Sequence, residues 1–271
     1  MEGITVIKSI LEYSFMQNAM LGALFASIAC GIIGTIIIER KIVMMSGGIA
    51  HAAFGGIGMG YFLGIEPIIG ALVFAVICAL GISAINRKTK INTDVVTGIF
   101  WSMGMALGVL FISITPSYLP NISSYLFGDI LTISSKDLKL LIILDIIVVL
   151  MVILFYNVLK AYMFDYEFAA ISKINVEITE SIIFILTAIT VVALIRVVGI
   201  IMATALLTAP AAIAKMFTYN LKKVIIISVI ISSVLCIAGL WISYELNIAS
   251  GVAIVLITGL SYLVSSTVTI K

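Results

Sequence analysis

Apolar residues come in long blocks along this chain rather than in an alternating or striped pattern. Nine blocks stand out, at about 14–38, 43–63, 67–86, 94–114, 138–160, 180–196, 199–217, 223–243 and 250–270. A helix rising 1.5 Å per residue needs about 20 such residues to cross a bilayer, so the blocks have the length of spans. Barrel strands would alternate polar and apolar positions, whereas these blocks are apolar on every face. The pattern predicts an all-α polytopic membrane protein with about eight or nine transmembrane helices. The uncertainty of one comes from the blocks at 180–196 and 199–217, separated only by Arg196 and the Val-Val-Gly that follows it, where one helix is short or broken. No internal repeat or low-complexity segment divides the chain, so residues 1–271 read as a single transmembrane domain.

Charge gives the blocks a direction. Lys and Arg are retained on the cytoplasmic side of short connections. With the N-terminus outside, one set of connections holds Arg40, Lys41, Arg87, Lys88, Lys90, Lys160, Lys173, Lys215, Lys222, Lys223 and Lys271, and the other only Lys8, Lys136, Lys139 and Arg196. Two connections are longer than turns. The outer one, about 115–137, carries Pro116, Pro120 and SYLFGDILTIS at 124–134, a candidate short helix over the outer mouth. The inner one, about 161–179, reads AYMFDYEFAAISKINVEIT, and its acids, aromatics and short amphipathic stretch suit either a helix offered to a cytoplasmic partner or a solvated linker.

Composition removes whole classes of function. The chain is 63% apolar and 10% charged, against about 45–50% and 25% for soluble domains, so lipid is its solvent. A net charge of +2 with scattered basic residues excludes a nucleic-acid stripe. Cys30, Cys78 and Cys236 lie apart inside apolar blocks, form no CxxC motif and read as packing residues. The first residues lack a basic region followed by a cleavage site, so no cleaved signal is expected. Without G-x-x-x-x-G-K-[ST] the chain has no phosphate-cradling loop of its own, and without HExxH or G-x-S-x-G a membrane hydrolase is poorly supported.

Titratable groups inside a span are costly and usually face a bundle interior or an aqueous path. His51, the sole histidine, sits in MSGGIAHAAFGGIGMGYFLG, where Gly47, Gly48, Gly55 and Gly56 allow close helix approach or a helix break whose carbonyls coordinate cations. It is either a ligand or an imidazole bonded to a neighbouring helix. Asp94 opens the fourth block and is either a first-turn acid favoured by the helix dipole or a carboxylate on a translocation path. Together, His51 and Asp94 would suit zinc, manganese or iron(II). Glu39, beside Arg40 and Lys41, is a weaker third candidate. Asp145, deep in LLIILDIIVVLMVILF, calls for a hydrogen bond to another helix or, less favoured, substrate contact.

Three segments in order resemble the metal-type ABC transporter permeases, the ABC-3 family. SGGIAHAAFGGIGMGYFLG (46–64) is similar to the family's histidine-centred, glycine-rich stretch. TDVVTGIFWSMGMALGVLFIS (93–113) resembles its acid, Gly-Ile, Ala-Leu-Gly pattern, and VGIIMATALLTAPAAIA (198–214), with Pro210, its Val-Gly, Ala-Leu-Leu, Pro-Ala-Ala signature. LFGDIL at 126–131, FDYEFA at 164–169 and SYELNIASG at 243–251 add weaker likeness. The resemblance implies an ABC importer permease bundle in a bacterial or archaeal plasma membrane, a transport subunit rather than an enzyme. It implies a second permease copy, separate cytoplasmic ATP-binding subunits and an extracytoplasmic metal-binding protein. The divalent ion is the transported substrate, with no permanently bound cofactor. Phe164, Asp165, Glu167, Phe168 and Ala169 correspond to the segment that docks in the ATPase, and His51 and Asp94 to positions lining or coordinating in the metal path. The chain departs from many members in having Gly47 four residues before the histidine, where aspartate is common. It also has Phe54, Gly55 and Gly56 in place of Leu-Pro-Gly, and Lys173 where glycine is common. A permease for a metal chelate or vitamin, or an ATP-independent secondary transporter, are the alternative readings.

Overall fold

Hydrocarbon offers no partner for backbone N–H and C=O groups, so a chain in lipid satisfies them within each helix. A computed structural model of the chain describes residues 13–89, 92–116, 125–126, 128, 130–164, 171–172 and 174–269. Among these the elements are α1 (Ser14–Glu39), α2 (Val43–Leu63), α3 (Pro67–Lys88), α4 (Thr93–Ile114), a 3-10 turn (Ile130–Thr132), α5 (Ser135–Leu154), α6 (Tyr156–Phe164), α7 (Val176–Phe217), α8 (Leu221–Leu246) and α9 (Ser250–Thr269). The fold is all-α and polytopic, with no strand among the described residues.

Their boundaries have local causes. Pro67 starts α3, where a missing N–H costs nothing. Asn92 and Asn220 cap α4 and α8 by accepting from backbone amides, and Gly64 ends α2 in the left-handed region at φ 67°.

Six helices, α1, α3, α4, α7, α8 and α9, are each long and apolar enough to cross a membrane, and α5 with α6 makes a seventh. The sequence count of eight or nine is thus approximate. It includes α2, whose glycines, Ser46 and His51 lower its hydropathy, and it takes α7 twice. The 42 residues of α7 would extend about 63 Å, twice a hydrocarbon core. Its regular backbone is interrupted at Gly199, with φ 77° and ψ 168°, a conformation open essentially to glycine alone. The block at 138–160 is also divided, by a 76° bend at Phe155. In the outer connection Tyr125 and Leu126 are helical and a 3-10 turn follows at Ile130–Thr132; residues 117–124, 127 and 129, over which the expected short helix falls in part, lie outside the described set.

The chain forms two compact units, each discontinuous in sequence. The first comprises Met1–Ile38, Ser123–Leu150 and Ala193–Lys271. Here α1 supplies the close contacts: a side chain on Gly31 would begin 2.7 Å from the Val229 amide nitrogen, and one on Gly34 would collide with the Leu207 carbonyl. Pro210 follows inside α7, buried, with no N–H to return to the preceding turn. Arg196 donates from Nε to Asp137 across a part-buried ion pair, so the one cation that the charge count placed against the trend on this helix is neutralised locally.

Asp145 is 6% exposed and lies against the Ala29 backbone of α1, although neither carboxylate oxygen has a well-aligned hydrogen-bond partner among the described residues. The contact with another helix that its sequence position calls for is made to α1, as a close approach rather than a well-aligned hydrogen bond. A buried carboxylate without a well-aligned partner is costly to keep, so Asp145→Asn is expected to melt at the same temperature as the native protein or higher. A clear fall in Tm of the purified protein would show that the carboxylate is held by a contact.

The second unit comprises Glu39–Ile122 and Met151–Val192. Gly48 of α2 abuts Thr97 of α4, and further along both helices Gly58 meets Gly108, a Cβ there falling 2.6 Å from the Gly108 carbonyl. The two helices therefore run parallel. α3 returns antiparallel between their ends, meeting α2 at Gly56 and Gly70 and α4 at Gly81 and Phe100. Small residues at these contacts let backbones approach where lipid supplies no hydrophobic drive to association.

Candidate metal pathway

Glycines set the position of His51. Because Gly48, Gly55 and Gly58 remove side chains from the α2 face toward α4, the helices lie close enough for the His51 imidazole to stack on the Trp101 indole. The ring centroids are 4.1 Å apart and the planes 7° from parallel. His51 is half-buried. Its Nδ1 is buried and has no hydrogen-bond partner among the described residues, so a nitrogen lone pair or N–H is left for something other than these. Position 47 lies one turn before His51 on the same face, and a Cβ there would sit 3.8 Å from Trp101. Gly47 is therefore not forced by space; its consequence is the loss of an oxygen donor beside the imidazole.

Asp94 stands in the first turn of α4, exposed, with its amide donating to the Asn92 side chain at 2.9 Å. It shares a face of α4 with Trp101, two turns away, about 10 Å along the axis. Since Trp101 marks the level of His51, the carboxylate lies two turns nearer the start of α4 than the imidazole. Glu39 ends α1, half-buried, before the turn into α2, whose first residue Val43 lies about 12 Å along the helix from His51. Among the described residues no three His, Cys, Asp or Glu side chains gather into a group that could hold a metal ion.

Gly55 packs against Gly104 and Phe74, and Gly56 against Gly70, so both act here as helix contacts. Pro210 lies within α7 in the first unit. Of the residues assigned to ATPase docking, Phe164 ends α6 and is 54% exposed. Asp165, Glu167, Phe168 and Ala169, like Lys173, lie outside the described residues. A cavity of about 390 Å³ between α6 and the start of α7 is lined by Phe155, Val158, Ile178 and Ile182 among others. Its lining is mostly apolar, with Asn175 and Thr179, and includes no His, Cys, Asp or Glu among the described residues.

Trp101 was not among the sequence candidates. Its spacing of seven from Asp94 was the available signal, since that spacing puts both on one helical face.

The glycine-rich helix with its stacked histidine and the acid that opens α4 coincide with two of the segments that carry the resemblance. The model of the ABC 3 transport family matches residues 12–269. The chain belongs to that family. It is a membrane-spanning, metal-type ABC transporter permease, and its relatives are bacterial membrane proteins. It is 34% identical over 259 residues to the manganese transport system membrane protein MntC of Listeria monocytogenes, covering 96% of this chain and 92% of the relative. It is 38% identical over 265 residues to an uncharacterized membrane protein of Synechocystis, covering 97% and 94%. Among solved structures it is similar to PsaBC from Streptococcus pneumoniae in complex with Fab, with a TM-score of 0.85 at 30% identity over 96% of this chain and 93% of that one. ABC-3 permeases are transport subunits, and this one is a multi-pass protein of the cell membrane.

Proposed function

We propose that this ABC-3 permease carries manganese(II) into the cell as the membrane subunit of an ATP-driven importer. The observation that carries the proposal is the buried, unpartnered Nδ1 of His51 on the glycine-rich helix. One imidazole and one carboxylate at successive heights, completed by backbone carbonyls and water, form a nitrogen and oxygen donor set that suits manganese better than the sulfur-rich sets favoured by softer ions. Relatives named for manganese transport support the same choice over zinc and iron(II). His51 and Asp94 act in sequence on the ion, as two stations of one path.

Two permease copies, each a single transmembrane domain over residues 1–271, pair with two cytoplasmic ATP-binding subunits and receive the ion from an extracytoplasmic metal-binding protein. The segment Phe164–Ala169 docks in the ATPase. Substituting Asp165→Asn together with Glu167→Gln is then expected to weaken association with the ATPase while the permease still folds.

The deciding experiment reconstitutes the permease with its ATPase in proteoliposomes and follows manganese, zinc and iron(II) uptake with and without ATP. Manganese is expected to enter preferentially, and only with ATP. Uptake without ATP would establish a secondary transporter, and indifference among the ions would remove the selective reading.

A further inference from the structure

Two arginines tie the flanks of the proposed docking segment to the two helices that carry His51 and Asp94. Arg40, in the corner leading into α2, donates from Nη1 to the Tyr162 carbonyl at 3.1 Å. Its guanidinium carbon lies 4.1 Å over the Tyr162 ring. That ring is 1% exposed, and it belongs to the last turn of α6, immediately before residue 165. The corner itself is fixed by Lys41 in the left-handed region at φ 57°, uncommon for a residue other than glycine. Beyond it α2 leads directly to His51.

On the other flank, Arg87 near the end of α3 donates from Nη1 to the Glu177 carbonyl at 3.2 Å and to the Ser181 hydroxyl at 3.4 Å, in the first turns of α7. Its 4.0 Å approach to the Glu177 carboxylate, which is 75% exposed, adds little by itself. The carbonyl and hydroxyl contacts define the geometry. The neighbouring Asn86 donates to Thr93 Oγ1 at 3.0 Å, which joins the end of α3 to the start of α4 beside Asp94. The carboxylate of Glu180, between the two flanks, lies in the field of both Arg87 and Arg40.

We propose that Arg40 and Arg87 are the positioning residues through which movement of the docking segment reaches the metal pathway, Arg40 acting on the His51 helix and Arg87 on the Asp94 helix. This rests on the proposed docking role of residues 164–169. Neither arginine is itself assigned to the metal or to the ATPase, and the contacts described run to Tyr162, Glu177 and Ser181. Their contacts differ in what they require. Arg40 uses a planar face over an aromatic ring, which lysine does not reproduce, whereas Arg87 uses donors to a carbonyl and a hydroxyl near two acids, which a lysine ammonium can in part supply.

The test uses the full permease–ATPase complex in proteoliposomes and reads manganese transported per ATP hydrolysed, together with co-purification of the ATPase. Arg40→Gln and Arg40→Lys are both expected to keep the ATPase bound and hydrolysing while the ratio falls about five- to tenfold, a typical coupling free energy. Arg87→Gln is expected to lower the ratio likewise, and Arg87→Lys to recover most of it. An unchanged ratio in Arg40→Gln and Arg87→Gln would overturn the proposal, as would loss of uptake and ATPase association together, which would make the arginines part of docking or folding. The Asp165→Asn/Glu167→Gln variant is run alongside. If it binds the ATPase normally, the docking assignment fails independently of the arginine result.

Discussion

Replacing His51 with alanine is expected to lower manganese uptake by about one to two orders of magnitude, the range that loss of even an outer partner costs a metal site. The imidazole is this chain's sole histidine, and among the described residues no cluster of three ligating side chains exists that could compensate. With Gly47 supplying no oxygen, the imidazole is the donor proposed at the level of Trp101. Because the ring also stacks on Trp101 at 4.1 Å, alanine removes packing as well as a ligand. Membrane abundance and Tm must therefore be measured in parallel. His51→Gln, which fills part of the same space but coordinates poorly, separates the two effects: it is expected to restore stability more than uptake. Uptake by His51→Ala equal to that of the native protein, at equal abundance, would remove the residue from the pathway.

Gly56→Ala is the second large effect. A Cβ at this position would overlap the Gly70 carbonyl and the following amide of α3, all backbone atoms, and a Cβ on Gly70 would in turn meet the Gly56 carbonyl. No side chain can rotate aside, so α2 and α3 must separate. Overpacking of this kind costs about 1–3 kcal/mol or more, and the displaced helix is the one bearing His51. Gly98 of α4 is the matched control. It has open space where a Cβ would go, so Gly98→Ala should gain about 0.5–1 kcal/mol from the better helix former. Thermal melting of both variants in detergent checks the pair, and equal behaviour would show that the reciprocal contact at Gly56 and Gly70 does not limit stability.

Much of the architecture was legible because lipid leaves a chain few options. A long apolar block must satisfy its own backbone, so block implied helix, and the helix ends at Ser14, Val43, Pro67 and Leu221 fall within a few residues of the block edges. The break in α7 was also signalled, since Arg196 and Gly199 interrupt an apolar run in a way that a single span would not tolerate. The bend at Phe155 had no such signal: neither glycine nor proline stands there, and residues 138–160 read as one block. His51 and the glycines around it stood out by residue type alone.

What stayed hidden was which faces meet. In blocks that are apolar all round, the face toward protein and the face toward lipid are made of the same residues, so no hydrophobic stripe marks the partner. The parallel pairing of α2 with α4 therefore appears only when Gly48 is seen against Thr97 and Gly58 against Gly108. The same holds for charges. Asp137 with Arg196, and Arg40 with Tyr162, are far apart in sequence, and nothing in the residue pattern pairs them.

The amino-acid sequence by itself determined that this protein lives in lipid, is helical throughout its apolar blocks and keeps one histidine in its glycine-rich helix, because burial of backbone polarity and the cost of intramembrane charge act locally along the chain. Only the tertiary structure decided that His51 lies on Trp101, that the α2 face carrying it packs in parallel on α4, and that Arg40 and Arg87 reach the flanks of residues 165–173. Those relations depend on how closely backbones approach, and that distance is set by pairs of glycines on different helices.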